Sequence, residues 1–143
     1  MLKIRVKKLN KDAVIPVYAH KGDAGMDIYS IENKTINPSE FELISTGIAI
    51  SIPYGYEAQV RPKSGLAINN GITILNSPGT IDCHYRGEIK VICLNLGKIP
   101  YKVESRKKIA QLVFNKIEEA EFVEVSELDD TQRGSQGFGS TGL

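Results

Sequence analysis

Tyr56-Glu-Ala-Gln-Val-Arg61-Pro-Lys-Ser64-Gly-Leu-Ala-Ile-Asn-Asn70 sets a six-residue alternation directly against a segment of different character. Tyr56, Ala58 and Val60 share one face and Glu57, Gln59 and Arg61 the other, the period of a half-buried strand. Arg61 is thereby placed to face either solvent or a ligand. Ser64 to Asn70 reads as a short helix with Ser64 near its N-terminus, where unpaired N–H groups and the helix dipole favour an anion. This strand and short helix make the first candidate phosphate site.

Working outward, Leu2-Lys-Ile4-Arg-Val6-Lys7 repeats the apolar/charged alternation. Further β-type runs are expected over 41–52, 72–75, 88–96, 109–117 and 122–125. Asn37-Pro38, Pro53-Tyr-Gly55, Ser77-Pro-Gly79 and Arg86-Gly87 supply turns between them. There is no long helical period and no internal repeat. Many short strands at this spacing predict an all-β sandwich, barrel or jelly roll.

The 143 residues fit one domain with a real core. A core over 1–128 and a glycine-rich arm over 129–143 are expected. The arm ends Arg133-Gly-Ser-Gln-Gly-Phe138-Gly-Ser-Thr-Gly-Leu143. Such a segment reads either as a frayed terminus or as a piece that orders around a nucleotide, because arginine and hydroxyls suit phosphate and phenylalanine suits a base.

A formal net charge of +1 argues against a polyanion-coating or membrane-surface protein, so any phosphate site is local. No basic leader or long apolar run is visible, which predicts a cytoplasmic or other reducing soluble compartment. Cys83 and Cys93 form no C-x-x-C element and read as reduced thiols; His20 and His84 do not make a zinc set.

Five segments carry polar residues that the strand pattern does not require. They are Ala24-Gly-Met-Asp27, Arg61-Pro-Lys63-Ser64-Gly-Leu-Ala67, Gly79-Thr-Ile-Asp82-Cys-His-Tyr85-Arg-Gly87-Glu88, Ile109-Ala-Gln111-Leu-Val113 and the arm. In this order and spacing they closely resemble the five motifs of the trimeric dUTPases, over nearly the whole chain. The resemblance implies a β jelly roll (β-clip type) assembled as a homotrimer with active sites at subunit interfaces. It also implies Mg²⁺-dependent hydrolysis of dUTP to dUMP and pyrophosphate, which keeps uracil out of DNA and supplies dUMP for thymidylate synthesis.

By that resemblance Asp82 is the general base that orients a water toward the α-phosphorus. By type alone an Asp capping backbone amides in a turn is the commoner case. Asp27 is implied as a water-mediated contact to Mg²⁺, its alternative being a loop Asp satisfied by nearby N–H groups. Gln111 either joins that water network or is a core amide bonded to backbone. Arg61, Lys63, Ser64 and Gly65 are implied as the phosphate cradle.

Tyr85 is implied under the deoxyribose, where its ring excludes a 2′-hydroxyl, although by type it is also an ordinary hairpin tyrosine. Asn76 and the backbone of Gly79, Thr80 and Ile81 through Tyr85 are the implied uracil readers, with Glu88, Ile89 and Lys90 completing the substrate-binding set. Arg133, Phe138, Gly139, Ser140 and Thr141 are implied to close over the nucleotide as a lid.

Lys63 and Lys108 stand where arginine is common in the family, Cys83-His84 where acidic residues are, and Gln136 where glycine is. Lysine keeps the charge but loses the bidentate fork. Two other functions remain compatible with the sequence. One is a dCTP deaminase of the same fold, which needs a glutamate at the cytosine amine; Glu88 lies six residues past Asp82, and nothing in the sequence aims it at the base. The other is a nucleotide-sensing regulatory trimer. No basic stripe with interleaved aromatics supports nucleic-acid binding.

Overall fold

The structure is a computed structural model and describes residues 1–137. Eleven strands and one helix are defined among them. In chain order they are β1 (Arg5–Lys8), β2 (Gly25–Tyr29), β3 (Lys34–Ile36), β4 (Phe41–Ser45), β5 (Ile48–Ser51) and β6 (Tyr56–Arg61). After these come α1 (Ser64–Asn70), β7 (Ile72–Ile74), β8 (Gly79–Ile81), β9 (Lys90–Asn95), β10 (Tyr101–Val103) and β11 (Lys108–Lys116).

All ladders are antiparallel. The largest sheet runs β2-β11-β6-β8; a second runs β4-β9-β7, and two two-stranded sheets join β1 to β5 and β3 to β10. This all-β arrangement with one short helix is the jelly-roll class. Branched residues from several ladders meet in one core, among them Ile28, Ile44, Ile48, Val91 and Leu112, all essentially inaccessible. Each apolar side chain removed from water at that depth stabilises the fold by about 1.5–3 kcal/mol before entropy is counted.

The alternation along β6 is realised: Ala58 and Val60 are buried, while Glu57, Gln59 and Arg61 are half-buried on the opposite face. α1 begins at Ser64, with Lys63 as the extended N-cap residue making no side-chain cap. It ends where Gly71 takes a left-handed conformation, φ 69°, and its N–H donates to the carbonyls of Ala67 and Leu66. No described helix is long and apolar enough to cross a membrane.

Three strand expectations differ from the structure. The run over 41–52 is two strands, because Gly47 (φ 69°) breaks it and sends β5 to pair with β1 instead of β9. Residues 122–125 form no strand. Phe122 is fully exposed and Val123 and Val125 largely so, since no neighbouring edge among the described residues offers this segment a ladder or a cover. Strands β2, β3, β8 and β10 escape the periodicity reading; three of them are only three residues long, too short to show a period.

The pairing of β6 with β8 positions the chemistry. Val60 faces Gly79 and Ala58 faces Ile81, so the chain reaches Asp82 at one end of this ladder and Lys63 at the other. Asp82 stands level with Glu57, about six residues before Lys63, so at the strand rise of ~3.3 Å per residue the two are roughly 20 Å apart.

Candidate active site

Two clefts lie at these two ends. The first, about 350 Å³, is bordered by Asn76, Thr80, Ile81, Asp82, Tyr85, Glu88, Ile89 and Lys90, eight residues singled out in the sequence, together with Leu43 and Ile92, which were not. Gly79 lies one residue before Thr80 and is buried against Val60, where a Cβ would come within 3.3 Å of the valine. Leu43 and Ile92 face one another across β4 and β9, and only the pairing of those strands brings them here.

Asp82 follows the buried Ile81 and is exposed; its side chain has no hydrogen-bond or ionic partner among the described residues. The turn it begins closes by donation from the Tyr85 N–H to the Asp82 carbonyl (3.1 Å), and Arg86 Nη1 clamps the loop from outside by donating to the Cys83 and Tyr85 carbonyls. The Asp82 side chain is therefore not used as a turn cap. Tyr85 is 47% exposed and its hydroxyl donates to the Glu88 carbonyl (2.9 Å), with the ring laid over Gly87. Glu88 accepts from the Gly47 N–H (2.8 Å) and stands 3.6 Å from Lys90 Nζ.

The second cleft, about 670 Å³, is lined by Lys63, Lys102, Arg106, Lys107 and Lys108 against a single carboxylate, Glu104, with Gly65 and Leu66 of α1 at its edge. In a chain whose total charge is only +1, this concentrates cations in one place. Beside it, Asp27 is 14% exposed; Lys63 Nζ donates to its Oδ1 and Lys108 Nζ to its Oδ2, the latter at 2.7 Å. Burial alone pushes the Asp27 carboxyl upward, but the bonds and charges of Lys108 and Lys63 outweigh it and hold the group below its ordinary value.

Asp27 thus accepts from two ammonium groups in place of nearby backbone N–H groups. Each of its oxygens keeps a second acceptor position, which a water carried by Mg²⁺ would use. The described residues hold no cluster of three or more His, Cys, Asp or Glu. A magnesium ion here would have to arrive ligated by the substrate's own phosphate oxygens and water.

Gln111 takes the backbone-bonded alternative: its Nε2 donates to the Pro62 carbonyl (3.0 Å), tying β11 to the turn before α1. Arg61, directly opposite Gln111, gives two N–H groups, Nε and Nη2, to Gln59 Oε1 (2.9 and 2.7 Å) and lines neither cleft. Arg133 Nε donates to the Gln136 carbonyl (2.9 Å) within an exposed local turn. Phe138, Gly139, Ser140 and Thr141 lie outside the described residues. Cys83 and Cys93 are free thiols, and burial pushes Cys93 up to about 12, which makes it inert.

The family model for dUTPase matches residues 11–142. A deoxyuridine 5'-triphosphate nucleotidohydrolase of Clostridioides difficile is 57% identical over 143 residues, covering both chains fully. The dUTPase of Staphylococcus bacteriophage 80alpha, solved with dUpNHpp, superposes at TM-score 0.92 with 31% identity over 99% of each chain. A D95N dUTPase from phage phi11 of S. aureus, in which a structural Mg(II) ion is coordinated, superposes at 0.81 with 28% identity over 87% of this chain and 97% of its own. With a match across almost its entire length, the chain belongs to the dUTPase family.

Proposed function

We propose that the protein hydrolyses dUTP to dUMP and pyrophosphate, with Asp82 as general base. The observation that carries this reading is the division of labour between the two clefts. One combines Asn76, a β-edge backbone, a tyrosine and an unpartnered carboxylate; the other concentrates cations. A nucleoside fits the first and a polyphosphate the second.

In the reaction, Asp82 accepts a hydrogen bond from a water and takes its proton as the oxygen attacks the α-phosphorus. The bond from that phosphorus to the bridging oxygen breaks, and the electron pair leaves on pyrophosphate. Lys63, with Ser64 and Gly65, holds the phosphates against the developing charge. Arg61 reaches them from the strand end only on releasing its bonds to Gln59. Magnesium, carried in on the triphosphate, supplies neutralisation of the phosphate oxygens when bound.

Tyr85 packs under the deoxyribose. A ribose 2′-hydroxyl in that position meets the ring and finds no partner, which costs the ribonucleotide both sterically and by desolvation. Asn76 and the backbone from Gly79 read uracil, while Thr80, Ile81, Glu88, Ile89 and Lys90 complete the cleft wall. Arg133, Phe138, Gly139, Ser140 and Thr141 close over the bound nucleotide.

Asp82 and Lys63 leave the β6–β8 ladder at opposite ends, and their clefts share no lining residue. A complete site then needs the nucleoside cleft of one copy beside the phosphate cleft of another. A closed ring of three copies, the homotrimer, satisfies this three times over with identical interfaces.

Glu88, the carboxylate a dCTP deaminase would require, is already engaged by Gly47 and Lys90, which argues against that chemistry. Product analysis separates the two reactions. Pyrophosphate release from dUTP, with little from UTP, dCTP or dTTP and no ammonia from dCTP, is expected. Ammonia from dCTP would overturn the reading.

A further inference from the structure

A third cleft, remote in sequence from the cations of the second, lies on the β1–β5 ladder. Arg5 and Lys7 stand two residues apart on β1 and share a face, and directly opposite them on β5 are Ser51 and Ala49. A salt-paired ladder would set carboxylates at those two positions. The small side chains instead leave a cleft of about 300 Å³, which Arg86 also lines. Among the described residues three cations line it and no carboxylate does. None of the three forms an ion pair there either.

Most of their donors are unused. Arg5 Nη2 donates to Ser51 Oγ (3.3 Å). Arg86 gives Nη1 to the carbonyls of Cys83 (2.7 Å) and Tyr85 (2.8 Å), so its Nε and Nη2 have no partner among the described residues. A guanidinium carries five donors in a planar fork and an ammonium three. Two forks and an ammonium lining one small volume match a doubly charged tetrahedral oxyanion; a carboxylate, with one charge and two oxygens, would leave most of them unmet. The volume is at the lower end of small-molecule sites, which suits a small ion better than a nucleoside.

Arg86 also ties this cleft to the catalytic turn. It follows the turn directly and bonds two of its carbonyls. The chain beyond it is fixed to the cleft's own strand, the Ile89 N–H donating to the Ile48 carbonyl at the start of β5 (2.8 Å). One guanidinium thus has one nitrogen on the turn that presents Asp82 and Tyr85 and two nitrogens free for a ligand.

We propose that the β1–β5 cleft binds a dianionic oxyanion of the phosphate class, and that Arg86 passes its presence to the Asp82–Tyr85 turn. The oxyanion accepts from Nε and Nη2 while Nη1 keeps its two carbonyls, so occupancy fixes the guanidinium and steadies the turn. The site stands apart from the dUTP reading, which enters only in naming pyrophosphate, its product, as one source of the ion beside free orthophosphate.

The test titrates orthophosphate, pyrophosphate and acetate into the full chain in a K63Q/K108Q background, which removes two ammonium groups from the second cleft. The same background carrying R5Q/K7Q or R5K/K7R is titrated beside it. One orthophosphate per chain is expected, with acetate weaker by about tenfold or more. R5Q/K7Q should weaken orthophosphate by about tenfold or more, the scale of the charged hydrogen bonds removed, and R5K/K7R should restore most of it. Both positions are exposed, and equal melting temperatures of the R5Q/K7Q chain and its parent check that the fold is intact. Preference for pyrophosphate assigns the product as the source; equal affinity assigns free orthophosphate.

Transmission is read as hydrogen exchange over residues 82–89, which orthophosphate should slow by about threefold or more. R86K keeps the charge and loses the fork, so it should still bind the ion but show no such slowing. Orthophosphate binding unchanged in R5Q/K7Q, or acetate bound as well as orthophosphate, overturns the site. Exchange that orthophosphate leaves unaltered in the parent, or slowing retained in R86K, overturns the role of Arg86. A wild-type chain that released no pyrophosphate from dUTP would refute the dUTP reading and leave the oxyanion site standing.

Discussion

Gln111 on β11 fills the space that a side chain on Gly25 of β2 would need: a Cβ built on Gly25 overlaps the Gln111 side-chain oxygen, with its Cβ also only 3.3 Å away. The amide is thereby pressed toward Pro62, whose carbonyl it bonds. Absence of a side chain at one strand position fixes the loop that carries Lys63 and Ser64.

Gly25→Ala is therefore expected to displace Gln111 and release the turn before α1. Overpacking of this kind costs about 1–3 kcal/mol of stability. The functional loss should be larger in proportion, since an ångström of misplacement in a phosphate cradle costs about 100-fold in rate. Thermal melts beside steady-state kinetics check this; unchanged KM and kcat would show that Gln111 does not organise the cradle.

Tyr85 depends in the same way on Gly87, beneath its ring. Gly87→Ala should push the phenol out of the cleft and lower the preference for dUTP over UTP by roughly tenfold or more, the scale of a lost steric filter. Competition between the two nucleotides is the measurement. An unaltered ratio would mean that the sugar is read elsewhere.

Asp27 makes a prediction about acid stability. Its folded pKa is held below the ordinary 3.8 by Lys108 and Lys63, despite burial. The sign follows: its contribution is complete above the unfolded value and is lost as pH falls through the depressed folded value. Lys108 is raised by the same bond to Asp27, so its side of the pair persists to the alkaline limit. Denaturant melts of wild type and Asp27→Asn from pH 7 to pH 2 should show a gap that is constant near neutrality and closes below about pH 4. A gap that widened toward acid would contradict the pairing.

How much of this could be read from the sequence differs with the physics involved. The alternation along β6 was plain because a half-buried strand writes its two faces into every second residue. The lining of the first cleft could be anticipated because it comes mostly from one continuous stretch, Asn76 to Lys90. Leu43 and Ile92 were not, since they arrive through the β4–β9 register, which is a tertiary fact. The ion pairs of Asp27 were not legible for a related reason: the register shift between Lys108 and Ala110, which sets Lys108 opposite Tyr29, has no signature in the order of residues. Residues 122–125 alternate like a strand, yet the pattern records only a tendency to pair and not the presence of a partner.

On the proposed reading, one active site is built from two copies of the chain, with Asp82 from one and Lys63 from another. Two variants, Asp82→Asn and Lys63→Gln, should each form the trimer and each lose turnover, by about 100- to 10,000-fold for the base. Dissociated, mixed in equal amounts and reassembled, they should regain roughly a quarter of wild-type pyrophosphate release from dUTP, because random assembly makes one interface in four intact on both sides. A mixture that remains as inactive as its components would contradict the account.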